Sequence, residues 1–130
     1  MTELPAEVRA LLEAPNYAHL ATILSGGAPH TVPVWAGIED GKIAFLTSPD
    51  SRKARNLADD PRVAISITDR NQPYAMALVR GRVTARLDGE PAWDIIDRIS
   101  RKYTGKPYPL RADRVVFLIE SEHARAQAFG

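Results

Sequence analysis

The 130-residue chain contains no cysteine. Disulfide bonds, thiolate metal sites and thiol nucleophiles are therefore excluded, and a reducing compartment is its natural setting. Residues 1–9 include acids and a proline, where a secretory signal would have a basic segment followed by an apolar run. We therefore expect a cytoplasmic location. The histidines have no partners at metal-ligand spacing, so no metal site is predicted.

An excess of charge of one sign and long apolar runs are also missing. The chain has 17 Lys and Arg against 16 Asp and Glu, and its one dense cationic cluster is Arg52, Lys53 and Arg55. Nucleic-acid binding usually requires a broad basic face, so no nucleic-acid partner is expected. No apolar run approaches the roughly 20 residues of a membrane helix, so no membrane span is predicted.

The length and the even composition predict one domain, residues 1–130. Helical spacing of apolar residues predicts helices at 3–13 and 88–103, and a short helix is expected after Thr47. Alternating apolar residues predict six strands, at 17–24, 30–38, 42–47, 63–68, 74–87 and 115–121. Asp40 and Gly41 predict a tight hairpin turn, and Gly81 predicts a bulge or a close backbone approach.

These elements predict a mainly β fold with helices, in the α+β class. They lack the strand–helix alternation of a doubly wound sheet. A small antiparallel barrel of six strands, with about three short helices, would close most of the sheet edges. On the late helix, Asp94 with Arg98 and Asp97 with Arg101 have the spacing of ion pairs on the solvent side.

The segment 47–57 combines the start of a helix with three cations, directly after a predicted strand. Ser48 is suited to cap this helix and Pro49 to its first position, and the free N–H groups of the first turn favour an anion. Lysine and arginine side chains beside those amides would strengthen the binding of a phosphate. The pattern predicts a phosphate cradle, although the residues alone fit a solvated charged helix equally well.

The order of residues in this segment, followed by Asp59, Asp60 and Pro61, resembles the pyridoxamine 5′-phosphate oxidase-like split β-barrel family. The turn at Gly26 and Gly27, with the residues around it, is similar to the opening hairpin of that family. Residues 103–106, Tyr-Thr-Gly-Lys, are similar to the actinobacterial branch that uses the deazaflavin coenzyme F420. The resemblance covers roughly residues 14–120. It implies a homodimer with two cofactor sites at the subunit interface.

The resemblance also implies which residues bind the cofactor. They lie on the second and third strands and in the phosphate cradle, namely Val32, Pro33, Val34, Thr47, Ser48, Ser51, Arg52, Lys53, Arg55 and Asn56. Val32 and Val34 fit plain core packing equally well. Lys53 and Arg55 point about 200° apart on a helix, so we do not expect both to reach one phosphate. Arg55 could instead bind the acidic tail of a deazaflavin, or pair with Asp59 or Asp60.

Four further residues are candidates for the substrate pocket, namely His30, Trp35, Tyr74 and Met76. Trp35 either lines the substrate side or packs across the dimer, where tryptophan is common. Tyr74 and Met76 begin a long strand that, in the family, borders the pocket and often comes from the second subunit. None of these residues is expected to act as a catalytic acid or base, because the cofactor carries the chemistry.

The function implied is hydride transfer from reduced F420 to a conjugated or quinone-like small molecule. Two alternatives stay open. One is an FMN-dependent oxidoreductase similar to pyridoxamine 5′-phosphate oxidase. The other is a non-catalytic protein that binds a flavin, a deazaflavin or a tetrapyrrole.

Overall fold

The computed structural model describes residues 3–128, which form three helices and seven strands. The helices are α1 (Ala6–Glu13), α2 (Arg52–Asp59) and α3 (Gly89–Thr104). The strands are β1 (Ala18–Ile23), β2 (Pro29–Val34), β3 (Ala36–Glu39), β4 (Lys42–Thr47), β5 (Arg62–Thr68), β6 (Ala75–Leu87) and β7 (Val115–Ala128). The predicted fold class is confirmed, with seven strands in place of six.

All seven strands form one antiparallel sheet in the order β2-β1-β5-β6-β7-β4-β3. Its two edge strands, β2 and β3, are separated along the chain by Trp35 alone. The sheet must therefore curl until its edges come close together, which produces a half-barrel with a seam at Trp35. The prediction of one continuous strand over 30–38 is wrong, because the partner strand changes from β1 to β4 at this residue.

The inside of the half-barrel holds the larger hydrophobic core. Phe45 and Phe117 stack there with ring centroids 5.4 Å apart, among buried side chains from the sheet and from α1. A second, smaller core lies on the outer side of β4 and β7, where Ala44 and Val116 pack against Ile96 and Ile99 of α3. The two cores hold β4 firmly from both sides, and the phosphate cradle follows directly at its end.

Two features of the strands follow the sequence closely. Asp40 and Gly41 both have positive φ, of 51° and 78°, which confirms the tight hairpin turn between β3 and β4. The β6–β7 ladder shifts register between Arg80 and Gly81, which confirms the bulge. The last strand is longer than predicted, because β7 continues to Ala128 beside β6 although its apolar alternation stops near Ser121.

The predicted ion pairs within α3 are wrong. Arg98 instead reaches Glu39 on β3, with Nη2 2.6 Å from Oε1, and Asp97 pairs with Arg111, with Oδ1 2.7 Å from Nη1. Both partners lie outside the helix, so helical spacing could not indicate them. Asp88 stands at the N-cap position of α3, but its side chain makes no capping hydrogen bond. No helix within residues 3–128 is long and apolar enough to cross a membrane.

Candidate functional site

A cleft of about 540 Å³ opens at the seam of the half-barrel, where the two sheet edges approach each other. The edge formed by β1 and β2 contributes His19, Pro33 and Val34, and β4 contributes Leu46 from the other side. Aromatic residues and a cation complete the lining, namely Tyr17, Trp35, Tyr108 and Lys53. The cleft is therefore mainly apolar, with a single cationic group at its wall, as in many small-molecule sites.

The aromatic side of the cleft is a stack of rings. Trp35 lies on Tyr103 with centroids 5.1 Å apart and planes 7° apart, and Tyr103 in turn stacks on Tyr17 at 6.0 Å. The ring of Tyr108 meets Trp35 edge-on at 6.2 Å. Such pairs add roughly 0.5–1.5 kcal/mol beyond the burial of their surfaces, so the wall is rigid where it faces the cleft.

Hydrogen bonds from α3 fix this stack to the seam. The Tyr103 hydroxyl donates to the carbonyl oxygen of Asn16 at 2.5 Å and accepts from the backbone N–H of Ala36 at 3.2 Å. Lys102 donates to the carbonyl oxygens of Leu12 and Ala36. Burial lowers the pKa of Lys102 to about 8 and raises the pKa of Tyr103. The end of α3 thus holds α1 and both sides of the seam together.

The helix of the phosphate cradle begins three residues later than the sequence suggests. Ser51 caps α2, since its hydroxyl accepts from the N–H of Ala54 at 3.1 Å and from the Thr47 hydroxyl at 2.9 Å. The Ser48 hydroxyl accepts from the N–H of Asp50 at 3.3 Å, so Ser48 belongs to a turn before the helix. Ser48 as the cap and Pro49 as the first helical residue are therefore wrong. Both serines are residues that commonly cap a helix. Thr47, at the end of β4, donates its hydroxyl hydrogen bond to Ser51, and this long-range placement is not visible in the sequence.

The first turn of α2 leaves the backbone N–H groups of Arg52 and Lys53 without an acceptor among residues 3–128. The side chain of Lys53 is half-buried at the wall of the cleft, and that of Arg52 is exposed. Free amides, a helix N-terminus and a lysine therefore lie at one point of the cleft. Anions are bound at helix starts of this kind.

Lys53 has a second cation beside it. Burial and the nearby guanidinium of Arg114, just before β7, hold the pKa of Lys53 below its usual value. None of the salt bridges within residues 3–128 involves Lys53 or Arg114. Two like charges next to each other, with no carboxylate of the described chain paired to them, are an environment that an anion stabilises.

The other charged and polar residues of the predicted cradle point elsewhere. Arg55 is exposed and forms no ion pair with any residue of the described range. Asp60 pairs instead with Arg62, with Oδ2 2.7 Å from Nη2. The suggested pairing of Arg55 with Asp60 is therefore ruled out. Asn56 is buried, and its amide donates to the Thr22 hydroxyl at 3.0 Å. Asn56 therefore fastens α2 to β1, and its role in cofactor binding stays a prediction.

The remaining predicted residues divide between the cleft and other places. Pro33, Val34 and Trp35 line the cleft, whereas Val32 packs against the core inside the half-barrel. His30 is opposite Thr22 in the ladder and so shares its inner face, and its buried Nδ1 has no hydrogen-bond partner in the part of the chain that the structure describes.

Tyr74 and Met76 stand apart from this cleft. Met76 lines a separate groove between α1 and the ends of β6 and β7, and Tyr74 is exposed on the turn before β6. Within one chain, the structure does not bring either residue to the predicted substrate pocket.

Five residues of the site escaped the sequence patterns. The cleft lining includes Tyr17, His19, Leu46 and Tyr108, and Arg114 accompanies Lys53. Tyr108 and Arg114 lie in the segment between α3 and β7, which has no apolar periodicity. The sequence signal nearest to this segment is the end of α3 at residues 103–106, which is similar to the F420-using branch.

The family model described as pyridoxamine 5′-phosphate oxidase matches residues 4–128. The chain belongs to the pyridoxamine 5′-phosphate oxidase family. As a member of this family it is an oxidoreductase of the flavin-barrel type. At the level of sequence, no curated protein matches the chain.

Solved structures agree with this assignment. A structure named F420 reductase is 29% identical, with a TM-score of 0.81 over 94% of this chain and 98% of its own. A conserved hypothetical protein from Mycobacterium tuberculosis is 24% identical, with a TM-score of 0.78 over 98% of this chain and 90% of its own. A putative pyridoxamine 5′-phosphate oxidase from Listeria innocua is 21% identical, with a TM-score of 0.67 over 90% and 92%. The last two support the fold alone.

Proposed function

We propose that this protein is an F420H2-dependent reductase that transfers a hydride to a conjugated or quinone-like small molecule. The observation that carries the proposal is Lys53 at the wall of an aromatic cleft, with a second unpaired cation, Arg114, beside it and in contact with Tyr108 of the lining. The similarity to the structure named F420 reductase, at 29% identity, supports the deazaflavin over other coenzymes.

The residues present fit a coenzyme with a planar ring and a phosphate. Lys53, Arg114 and the free N–H groups at the start of α2 would hold the phosphate. The ring would lie against Pro33 and Val34 of β2, which offer an apolar edge because proline has no N–H. The ring of Trp35 lines the same cleft as Pro33 and Val34, so a planar acceptor can lie between Trp35 and the coenzyme ring.

The reduced deazaflavin supplies the hydride, and the protein supplies binding, orientation and exclusion of water. Lys53 and Arg114 anchor the anionic end, which fixes the position of the ring along the cleft. Trp35 and Tyr108 form the wall that keeps bulk water from the acceptor. The mouth of the cleft stays open, so water there can supply the proton that completes reduction of the acceptor, and none of these side chains needs to act as an acid.

We also propose that the protein works as a homodimer. The outer face of β1, β5, β6 and β7 carries a groove of about 650 Å³ with an apolar floor that includes Ala21, Ala64 and Leu78. A second copy is the occupant that the family membership favours, and it would account for Tyr74 and Met76, which do not reach the cleft of their own chain. Light scattering should give about twice the 14.3 kDa chain mass. Leu78→Arg should give the monomer mass, and a wild-type monomer would contradict the dimer.

Binding of F420 and FMN, followed by fluorescence titration, tests the coenzyme. We expect F420 to bind more tightly, and we expect Lys53→Ala to weaken it while Arg101→Ala, which removes an exposed cation from α3, does not. Tighter binding of FMN would replace the proposed coenzyme with the flavin.

Turnover tests the reaction itself. The protein with F420H2 and a panel of quinones, nitro compounds and bilins should oxidise the coenzyme faster than buffer does. Tight binding with no acceleration across the panel would indicate a coenzyme carrier instead of an enzyme.

A further inference from the structure

The segment 105–114, which we call the arm, connects α3 to β7 and carries Tyr108 of the cleft lining and Arg114, which contacts it. Tyr108 is at its middle and Arg114 at its end. The arm contains no helix or strand. The β4–β7 ladder fixes the backbone at the end of the arm, where Arg114 precedes Val115, the partner of Thr47. The position of Tyr108, and of the Arg114 side chain that contacts it, must therefore depend on contacts outside the ladder.

One carboxylate, that of Asp97 on α3, accepts three hydrogen bonds from the arm. Its Oδ1 accepts from the backbone N–H of Tyr108 at 3.1 Å and from Nη1 of Arg111 at 2.7 Å. Its Oδ2 accepts from Nη2 of Arg111 at 3.2 Å, which completes a two-point contact with the guanidinium. Arg111 in turn donates to the carbonyl oxygen of Tyr108 at 3.0 Å and lies 4.3 Å from the ring of Trp93.

Tyr108 in turn contacts Arg114 through both its hydroxyl and its ring. The Nε of Arg114 donates to the Tyr108 hydroxyl at 3.3 Å, and its guanidinium lies 5.6 Å from the Tyr108 ring centroid. Asp97 thus holds the backbone of Tyr108 on both sides, and the Tyr108 side chain holds Arg114 beside Lys53. Asp97 itself is outside the cleft lining.

We propose that Asp97 is a positioning residue, which holds the arm so that Arg114 stands beside Lys53 and the two cations bind one anion together. The identity of that anion as the coenzyme phosphate rests on the proposed function. The placement of Arg114 by Asp97 does not, because it follows from the contacts of the arm alone.

The same helix offers a matched control. Arg98, the residue after Asp97, pairs with Glu39 on β3 at 2.6 Å, and the exposed fractions of the two side chains are 55% and 20%. Those of Arg111 and Asp97 are 52% and 18%. The two ion pairs are alike in length and exposure, but only the one with Asp97 holds the arm. Glu39→Gln therefore reproduces the loss of an ion pair without releasing Arg114.

The pKa of Lys53 reports in part on where the Arg114 guanidinium lies, because burial lowers this pKa and the charge of Arg114 lowers it further. In Asp97→Asn, we expect NMR titration of the Lys53 side chain to show a higher pKa than in the wild type. The reason is that the Arg114 guanidinium moves away from the ammonium group, so the repulsion between the two charges decreases. Hydrogen exchange at the Tyr108 amide should be faster, because the neutral carboxamide of this variant no longer binds Arg111 and holds the Tyr108 N–H less firmly. Glu39→Gln should change neither measurement.

Anion binding provides the second test, with inorganic pyrophosphate and F420 as probes. Asp97→Asn should weaken both by about three- to tenfold, as expected for losing a charge-assisted contact at a partly exposed position, and should leave kcat at saturating coenzyme unchanged. Arg111→Gln, which breaks the same ion pair but keeps Asp97 as the acceptor for Tyr108, should act in the same direction and more weakly.

The outcomes separate the two proposals. A wild-type pKa for Lys53 or wild-type exchange at Tyr108 in folded Asp97→Asn would overturn the role of Asp97. Failure of wild-type protein to bind F420 would overturn the coenzyme instead, and the two NMR measurements on the apoprotein would still decide whether Asp97 places Arg114.

Discussion

Asn56 on α2 donates its side-chain amide to the hydroxyl of Thr22 on β1 at 3.0 Å, and both side chains are buried. This bond joins the helix of the predicted phosphate cradle to β1. It also explains why a residue inside an apparent binding motif is buried against the sheet.

Asn56→Ala should lower the free energy of unfolding by about 1–3 kcal/mol, because it leaves the buried Thr22 hydroxyl without its donor. Urea denaturation measures this change. Asn71→Ala, at an exposed position in the turn before β6, should cost under about 0.5 kcal/mol. Unchanged stability of Asn56→Ala together with weaker F420 binding would support the ligand role that the motif suggests.

Gly81→Ala should be strongly destabilising, because an added Cβ would lie 2.1 Å from the carbonyl oxygen of Glu120. The obstacle is backbone on the neighbouring strand, so the ladder itself must shift, at a cost of roughly 1–3 kcal/mol or more. Gly26→Ala is the control, since nothing lies within 4 Å of its added Cβ. Equal urea midpoints for the two variants would show that the bulge adapts.

The sequence predicts most strands and the fold class, because apolar alternation is a local property that the sheet preserves. It does not predict that β2 and β3 separate at Trp35. The alternation passes through this residue unbroken, and the change of partner strand depends on how the whole sheet curls.

In the candidate site, too, the residues of a local motif are predicted from the sequence, and those that folding brings together are not. Lys53 was predicted because it belongs to a contiguous motif at a helix start. Arg114 was missed because two long-range relationships bring it to Lys53: the pairing of Val115 with Thr47 at the end of β4, and the folding of the arm onto Asp97 of α3. The pairing of Asp97 with Arg111 in place of Arg101 has the same cause, since a partner outside the helix competes with one inside it.

Tyr103→Phe should test the hydroxyl that holds the seam. The variant keeps the ring on Trp35 but loses the hydrogen bonds to Asn16 and Ala36, so we expect a loss of about 1–2 kcal/mol in urea denaturation. Tyr17→Phe, at a side chain that is 58% exposed, should cost under about 0.5 kcal/mol. A larger loss of stability in Tyr17→Phe than in Tyr103→Phe would mean that the hydroxyl of the exposed Tyr17, and not that of Tyr103, is the main restraint on the stack.

The affinity for F420 should depend on pH through Lys53. Burial and Arg114 lower the pKa of this ammonium group, so it loses its proton at a lower pH than an ordinary lysine. The anion binds the protonated form, and affinity should therefore fall as the pH rises through the lowered pKa.

Fluorescence titrations between about pH 8 and about pH 10.5 measure this fall. Lys53→Arg keeps its charge throughout that range, so its affinity should stay level apart from changes in the coenzyme itself. Lys53→Ala should bind about 1.5–3 kcal/mol more weakly than the wild type at neutral pH, and the difference should shrink as the pH rises. Parallel curves for wild type and Lys53→Arg would mean that the ammonium group of Lys53 does not bind the anion.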